Sequence, residues 1–238
     1  MNIEQKFKRN KICGFTLLEL LIVLAVMGLM MGLVGFSLLG GGGAELGAAQ
    51  RELLGMVQQA RTRAALTGSE TRLIVNNNED DEEKYHRYME VIVLDTCATN
   101  GEKKWLVVGE GKYLTDGVYF VPSDEGKSET PAEWRSDAYS IWSEEDDKFS
   151  LTDSFKGERK LNGDNNFRFL AFDRTGNVIF PDSQGEGVQK APRLVIGVGS
   201  PNPGQEEKPI RFDNPNSISG ILLRRYGGFA VLELDDFE

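Results

Sequence analysis

One charged residue, Glu19, stands at the beginning of a long apolar segment, and this combination most constrains what the chain can fold into. The twenty residues from Leu20 to Leu39 carry no charge. As an α-helix with a rise of about 1.5 Å per residue, they would extend roughly 30 Å, the thickness of a bilayer core. The sequence therefore predicts a membrane-spanning helix, residues 15–39, with a carboxylate near its N-terminal end.

The residues ahead of this helix are mostly basic and predict its orientation. Lys6, Lys8, Arg9 and Lys11 stand against one acid, Glu4. Positive charge beside the first apolar span stays on the cytoplasmic side of a membrane. We therefore expect a single-pass topology with the N-terminus inside and the C-terminal domain outside.

Glu19 needs a partner, because inserting a carboxylate into hydrocarbon costs on the order of 2.5–3.5 kcal/mol or more. No Lys or Arg occurs between Phe15 and Arg51, so the helix offers no cation of its own. Cleavage after Gly14 would place a new α-amine on Phe15. That amine is a positive charge that the Glu19 of a neighbouring subunit could reach.

The residues around Glu19 resemble a known processing signal. Residues 11–14, Lys-Ile-Cys-Gly, followed by Phe-Thr-Leu-Leu-Glu at residues 15–19 and a long apolar helix, resemble the class III signal of type IV pilins and type II secretion pseudopilins. The resemblance implies cleavage between Gly14 and Phe15 by prepilin peptidase, and N-methylation of Phe15. It also implies that Glu19 pairs with a neighbour's amino terminus during filament assembly, with other pilins and an inner-membrane assembly platform as partners.

Two other interpretations of this segment remain open. A signal anchor with an incidental glutamate would leave both the Gly14–Phe15 junction and the acid unexplained. A secretory signal peptide has an apolar region of about 7 to 15 residues, shorter than this one. Small residues at Gly43, Ala44 and Gly47 would nevertheless suit a conventional signal peptidase.

The span is predicted to continue into a second, amphipathic helix. Gly28 and Gly32 have the small-xxx-small spacing at which membrane helices pack closely, although glycine is also common in such helices. The four glycines at residues 40–43 predict a hinge, since each costs about 1 kcal/mol in a helix relative to Ala. Residues 44–68 then regain helical periodicity, with Gly68 as the stop and one apolar face, broadened by Leu54 and Met56, that is composed of Leu46, Leu53, Val57, Ala60 and Ala64.

The remainder, residues 69–238, predicts a periplasmic β-rich domain behind a leader at residues 1–14. Candidate strands cover residues 71–76, 88–95, 105–109, 118–121, 167–172, 178–180, 194–198, 221–225 and 229–234. Two hairpin turns are marked by glycine, at residues 173–177 and 226–228. The predicted fold class is α+β and pilin-like, with a long N-terminal helix packed on antiparallel β-sheets.

Three polar segments are predicted to contribute little to the core and to carry specificity instead. They are residues 76–83, 123–166 and 200–216. The middle one is long for a loop, so we expect local structure anchored by Trp134, Trp142 and Phe149.

Few residues point to catalysis or to metal binding. His86 is the one histidine, which leaves zinc sites and catalytic triads with too few partners, and we expect it at the surface. Residues 79–83 lack the ligand alternation and glycine of a calcium loop and are interpreted as a solvated loop. Cys97 would be the one cysteine left after loss of Cys13. We predict no catalytic, cofactor-binding or metal-binding residues, no cofactor, and a protein that is not an enzyme.

The net charge of the chain limits which kinds of partner it is expected to bind. The net charge is −10, and removal of residues 1–14, with four cations and one anion, makes it −13. Nucleic-acid binding is not expected, because it depends on Lys and Arg at phosphates. The order of helix, strand and late hairpins is similar to that of the H-type minor pseudopilins and their FimT-like pilus relatives.

The predicted function is that of a minor pseudopilin of a type II secretion system. In this interpretation the chain sits in the inner membrane and assembles into a periplasmic pseudopilus for protein export. The alternative is a minor type IV pilin in adhesion, motility or DNA uptake. A membrane-anchored periplasmic enzyme is a further rival, which a polar cleft around His86 would favour.

Overall fold

The structure is a computed structural model that describes residues 21–22, 43–95, 104–144, 150–153, 157–160, 167–181, 190–205 and 207–237. The leader, hinge residues 40–42 and all of the predicted membrane span except Leu21 and Ile22 lie outside the described residues. Those two residues are helical. From Gly42 onward the chain forms one compact unit, which is α+β.

A single long helix, α1, spans Gly43–Thr67 and forms one layer of this unit. The five residues predicted for its apolar face are all buried, as is Met56, while Leu54 is half-buried. Ala49, which was not predicted for this face, is also buried. The helix ends where Gly68 adopts a φ of +61° and donates its N–H to the carbonyl of Ala64. Gly43, which was predicted as part of the hinge, is instead the first residue of the helix.

The helix is followed by short strands, of which β1, β2 and β9 have the predicted bounds. In chain order the strands are β1 Thr71–Asn76, β2 Tyr88–Asp95, β3 Lys104–Val107, β4 Lys112–Tyr113, β5 Val118–Phe120, β6 Ser143–Glu144, β7 Ser150–Asp153, β8 Gly157–Lys160, β9 Phe167–Phe172, β10 Val178–Ile179, β11 Arg193–Val198, β12 Ser200–Pro201, β13 Ile210–Arg211, β14 Ile218–Leu223 and β15 Phe229–Leu232. Four strands of two residues, β4, β6, β12 and β13, were not predicted because they are too short to show alternation, whereas β10 lies within the predicted range 178–180.

Two sheets and a small ribbon result. The larger sheet has the order β10-β9-β1-β2-β3-β7-β8, with β4 also paired to β2 and β6 to β9. The second sheet has the order β15-β14-β11-β5, and β12 pairs with β13. The prediction of antiparallel sheets is wrong at one place, because β3 and β7 pair in parallel. Between them the chain crosses to the second sheet to form β5 and then returns, which allows the same strand direction.

Both predicted hairpin turns form, and they share one geometry. In the β9–β10 turn, Gly176 donates to the carbonyl of Asp173, and Asp173 donates to the carbonyl of Asn177. The β14–β15 turn repeats this pattern three residues after Arg224, with Gly227 as the donor. Gly176 and Gly227 have φ values of +80° and +76°, the left-handed conformation that the last turn position requires.

The core has two main parts, which we call the helix core and the loop core after the segments that form them. The helix core lies between α1 and the two sheets; it includes Leu53, Val57, Leu73, Phe120, Trp142, Phe172, Ile196 and Ile221. The loop core comprises Tyr85, Tyr119, Val121, Trp134, Ala138, Tyr139, Val195, Ile210, Phe212, Ile218 and Phe237.

The burial of apolar side chains in the predicted polar segments corrects one prediction and confirms another. Residues 200–216 were predicted as poor core material, yet Ile210 and Phe212 are 1% and 2% exposed. Trp134 and Trp142 anchor the middle polar segment as expected, whereas Phe149 lies outside the described residues.

A third apolar cluster covers the opposite face of the larger sheet and includes Ile74, Ile92 and Trp105. The Arg72 guanidinium stacks there between two rings, 4.3 Å from the centre of Trp105 and 4.1 Å from that of Phe169. Such stacking lets a buried arginine keep a favourable environment for its charge.

Candidate functional site

The residues predicted to carry processing and assembly lie outside the described residues. These are Gly14, Phe15, Glu19, Gly28 and Gly32. Within the same predicted span, Leu21 and Ile22 are 58% and 54% exposed. In the part of the chain that the structure describes, no helix is long and apolar enough to cross a bilayer.

The outer face of α1 is the described surface nearest in sequence to that motif. Arg51, Gln58 and Arg63 are exposed there. Arg61 differs, because it is only partly exposed and folds over the last hairpin. Its guanidinium donates to the carbonyls of Gly227 and Tyr226 at 3.1 and 3.2 Å. The helix is thus fastened to the β14–β15 turn as well as to the sheets.

His86, predicted at the surface, is buried with 1% exposure. Its ring stacks on Tyr85, with centres 4.3 Å apart, and meets the edge of Trp142 at 5.6 Å. The Nδ1 atom lies 3.0 Å from the carbonyl of Phe120, and Nε2 lies 2.7 Å from the side-chain amide of Asn77. The residue has a φ of +52°, and its aromatic neighbours and hydrogen bonds hold it there.

The environment of His86 keeps its ring neutral. Burial lowers its pKa to about 3, the Phe120 carbonyl opposes that shift, and the nearby charge of Arg168 adds to it. A neutral ring with both nitrogens engaged offers neither a free base nor an acid at neutral pH. His86 therefore joins the helix core to the loop core, since Trp142 belongs to the first and Tyr85 to the second.

A polar groove of about 2150 Å³ runs beside His86, between the two sheets. Its described lining includes Asn77, Asp80, Tyr139 and Arg193, so acidic, basic and aromatic groups are mixed. Arg193 pairs with Asp137 at 3.1 Å and also donates to the Tyr139 carbonyl. The groove presents hydrogen-bonding groups to solvent, while the histidine at its floor is held by protein partners. This arrangement suits binding better than proton transfer.

The acidic loop after β1 is organised by its own side chains. Asn76 accepts the N–H of Asn78, and Asn78 accepts the N–H of Asp80. Lys84 pairs with Asp81 at 2.7 Å. Residues 79, 80, 82 and 83 are exposed, as expected for a solvated loop. Across the described residues there is no group of three His, Cys, Asp or Glu side chains positioned to hold a metal ion.

Asp173 organises the β9–β10 turn through its side chain. Its Oδ1 accepts the N–H and hydroxyl of Thr175 and the N–H of Asn177, at 2.6 to 2.9 Å. Partial burial would raise the pKa of Asp173, but these hydrogen bonds outweigh it and lower the pKa below its usual value. Residues 173–177 therefore have a structural role that accounts for their composition.

Sequence reasoning missed the joining role of His86 and the fastening role of Arg61. Tyr85 and Tyr88, which flank His86 in sequence, could have indicated that His86 is buried. Aromatic residues in a polar loop favour burial of the residues between them. No local pattern marked Arg61, since its partners are backbone carbonyls about 165 residues away.

Comparison with known families yields a match at the N-terminal segment. Residues 9–35 match the prokaryotic N-terminal methylation motif. No curated protein and no solved structure matches the chain significantly. The matched range contains the Gly14–Phe15 junction and Glu19, and it identifies the segment as a type IV pilin-like leader. The motif supports a protein of the type IV pilin or pseudopilin kind, with a leader of the type that prepilin peptidase processes.

Proposed function

We propose that the protein is a minor pseudopilin of a type II secretion system. It is made as a precursor, cut after Gly14, methylated on Phe15, held in the inner membrane by residues 15–39 and assembled into a short periplasmic filament. The observation that carries this proposal is the methylation motif at residues 9–35. The α+β unit that follows it supports the same reading.

In this proposal Glu19 sets the register of the subunit in the filament. Its carboxylate pairs with the methylated amino terminus of a neighbour, which offsets the cost of placing both charges at membrane depth. Gly28 and Gly32 allow neighbouring helices to approach closely. The apolar helices then form the filament interior, and α1 carries the β domain outside it.

The packing of α1 supports a role for this helix in passing the position of the stem on to the β domain. Buried residues line the inner face of the helix, from Leu46 near its start to Ala64 near its end. They pack against both sheets, and Arg61 fastens the last hairpin. A displacement of the stem would therefore move the whole β domain with it, as a subunit that works by binding requires.

The alternative is a minor type IV pilin of a surface filament. DNA uptake is the least favoured of its roles, because Glu233, Asp235 and Asp236 are exposed at the C-terminal end beside Arg224 and Arg225. Deletion of the gene in its host separates the two systems. Loss of protein export with intact surface pili supports secretion, and loss of pili with intact export supports the alternative.

The mass and N-terminal sequence of the mature protein test the first step of the proposal. Expressed together with a prepilin peptidase, the chain should begin at N-methyl-Phe15. Without the peptidase it should begin at the precursor terminus. An N-terminus between residues 43 and 47 in both cases would instead indicate an ordinary secretory signal and overturn the proposal.

The variant Glu19→Ala tests the assembly step. Cleavage after Gly14 should persist, while incorporation into filaments should fail because the neighbour's amino terminus loses its partner. Glu45→Ala is the matched control, since Glu45 is an exposed acid in the first turn of α1. Normal assembly of Glu19→Ala would remove the role assigned to that carboxylate.

A further inference from the structure

Strand β15 presents an open edge. It is the outermost strand of its sheet, and no described strand pairs with its far side. Arg224 donates to the Gly228 carbonyl, and hydrogen-bonded pairs alternate along an antiparallel ladder. In the register of β14 and β15, Ala230 and Leu232 therefore bond inward. The N–H and C=O groups of Phe229 and Val231 point outward, away from the sheet.

The side chains of this edge are apolar and partly exposed. Phe229 and Val231 are 40% and 43% exposed, and the strand Phe-Ala-Val-Leu contains neither a charge nor a proline. In register they lie opposite Leu223 and Ile221, so they extend the sheet face on which α1 packs. Exposed edges usually carry Lys, Pro or a bulge that blocks pairing with another chain. The described part of β15 carries none of these.

Two other strand edges in the described chain are covered. The N–H of Val178 in β10 donates to the carbonyl of Arg225. The N–H of Phe120 in β5 donates to the carbonyl of His86. The fold thus pairs these edges with its own backbone, while no backbone group of the described residues bonds to the outward groups of β15.

Opposite charges flank the two ends of β15. Arg224 and Arg225 precede it and are exposed. Glu233, Asp235 and Asp236 follow it and are also exposed. A strand that adds in the antiparallel direction would bring its N-terminal end to these carboxylates and its C-terminal end to the arginines. Charge complementarity therefore favours an incoming strand that begins basic, is apolar in its middle and ends acidic.

We propose that β15 is a docking edge for an extended segment of another protein, which adds as an antiparallel fifth strand with a basic N-terminal end and an acidic C-terminal end. The main-chain groups of Phe229 and Val231 provide the hydrogen bonds, and their side chains provide the apolar contact. The recognition depends on backbone and end charges, so it tolerates variation in the middle of the segment.

A second copy of this chain is the less favourable occupant. Antiparallel pairing of two β15 strands places a two-fold axis perpendicular to the sheet, and this operation reverses the direction of α1, which lies on the sheet. Subunits of the proposed filament all run in one direction, so their stems would be parallel. This step rests on the proposed function, whereas the peptide experiment below does not.

The test uses the full-length protein in detergent micelles and two fluorescent nine-residue peptides. One has the sequence Lys-Lys-Val-Thr-Val-Thr-Val-Glu-Glu, and the other has the same middle with the end charges exchanged. The first peptide should bind at least about tenfold more tightly than the second, a difference of about 1.4 kcal/mol. Equal binding of the two peptides, or binding of neither, would overturn the proposal.

Variants at Val231 locate the binding edge. Val231→Pro removes an outward N–H and obstructs the incoming strand, so it should weaken binding of the first peptide by about tenfold or more. Val231→Thr keeps the backbone donor and should change binding by no more than about twofold. Equal binding by both variants, with matching circular dichroism, would contradict docking at this edge.

The double variant Arg224→Glu with Asp235→Lys keeps the net charge but weakens the opposite charges at both ends of β15, since Arg225 remains at one end and Glu233 and Asp236 at the other. It should bring the affinities of the two peptides close together. Because neither change removes a buried group, a loss of folding is not expected to mask the result. An unchanged preference would refute the antiparallel direction. These outcomes are independent of cleavage after Gly14, so failure here leaves the proposed function intact.

Discussion

The helix core and the loop core are both buried, yet they are constructed in different ways. The helix core depends on one regular element, α1, whose apolar stripe covers residues of two sheets. The loop core gathers side chains from separate segments of the chain, including Tyr85, Trp134, Phe212 and Phe237. Turns and side-chain hydrogen bonds hold those segments. An example is the Trp134 indole, which donates to the Pro215 carbonyl at 3.0 Å.

This difference shows which part of the molecule loses more conformational entropy when it becomes ordered. A helix fixes many side chains with one repeating set of backbone bonds, whereas each loop segment loses its own conformational entropy. The loop core compensates with large rings, since aromatic side chains bury the most apolar area per residue. If the two cores fold as one unit, damage to either should unfold both in a single transition.

The largest effect is expected from Phe212→Ala in the loop core. Phe212 is 2% exposed and packs against Trp134, with ring centres 5.3 Å apart. Its truncation should lower the free energy of unfolding by about 3–5 kcal/mol, measured by chemical denaturation. Phe229→Ala deletes the same atoms at a 40% exposed position and should cost much less. A separate early transition in Phe212→Ala would show that the loop core unfolds independently.

A comparable but slightly smaller effect is expected from Leu53→Ala in the helix core. Leu53 is fully buried at the centre of the α1 stripe. The variant should lower the free energy of unfolding by about 2–5 kcal/mol. Leu66→Ala, on the same helix but 75% exposed, should stay within about 0.5 kcal/mol of the parent. Similar losses in the two leucine variants would contradict the assigned packing face.

The effect that is smallest at neutral pH, and grows as the pH falls, concerns His86, which joins the two cores. In the unfolded chain His86 takes up a proton below its usual pKa of 6.5, but burial lowers its pKa in the folded state to about 3. The unfolded state therefore binds more protons between these values, and stability falls as the pH decreases. The contribution of His86 is up to about 1.4 kcal/mol per pH unit within that window, and it is complete above pH 6.5.

The variant His86→Asn isolates this contribution. Asparagine does not titrate and tolerates a positive φ. Denaturation curves from pH 4 to pH 8 should show a shallower pH dependence for the variant than for the parent, since the carboxylates act in both. Parallel profiles would mean that the ring is not buried in its neutral form.

Local periodicity was sufficient to predict much of this fold. The apolar stripe of α1, the bounds of β1, β2 and β9, and both glycine turns follow from spacing along the chain. Phe212 and Ile210 could not be predicted as core, because Pro and Asn surround them and only distant segments bury them. The parallel pairing of β3 and β7 depends on the path of 42 intervening residues, which no local pattern encodes.

The candidate functional residues likewise divide into those that the local sequence predicts and those that it does not. The motif around Gly14 and Glu19 is local, so the sequence alone suggested it, and the methylation match covers those residues. The roles of His86 and Arg61 and the open edge of β15 depend on contacts between distant segments. Their partners become visible only when the sheets are assembled.

The pairing of β1 determines the order in which the protein can fold. This strand follows the helix directly, but one of its partners, β9, comes about a hundred residues later. The second sheet contributes Ile221 and Leu223 to the helix core from the last tenth of the chain. Such non-local contacts slow folding, because long loops must close before the contacts form. The stem helix therefore emerges from the ribosome together with β1 and β2 but well before β9 and the second sheet, so its apolar stripe is fully covered only after nearly all of the chain has been synthesised.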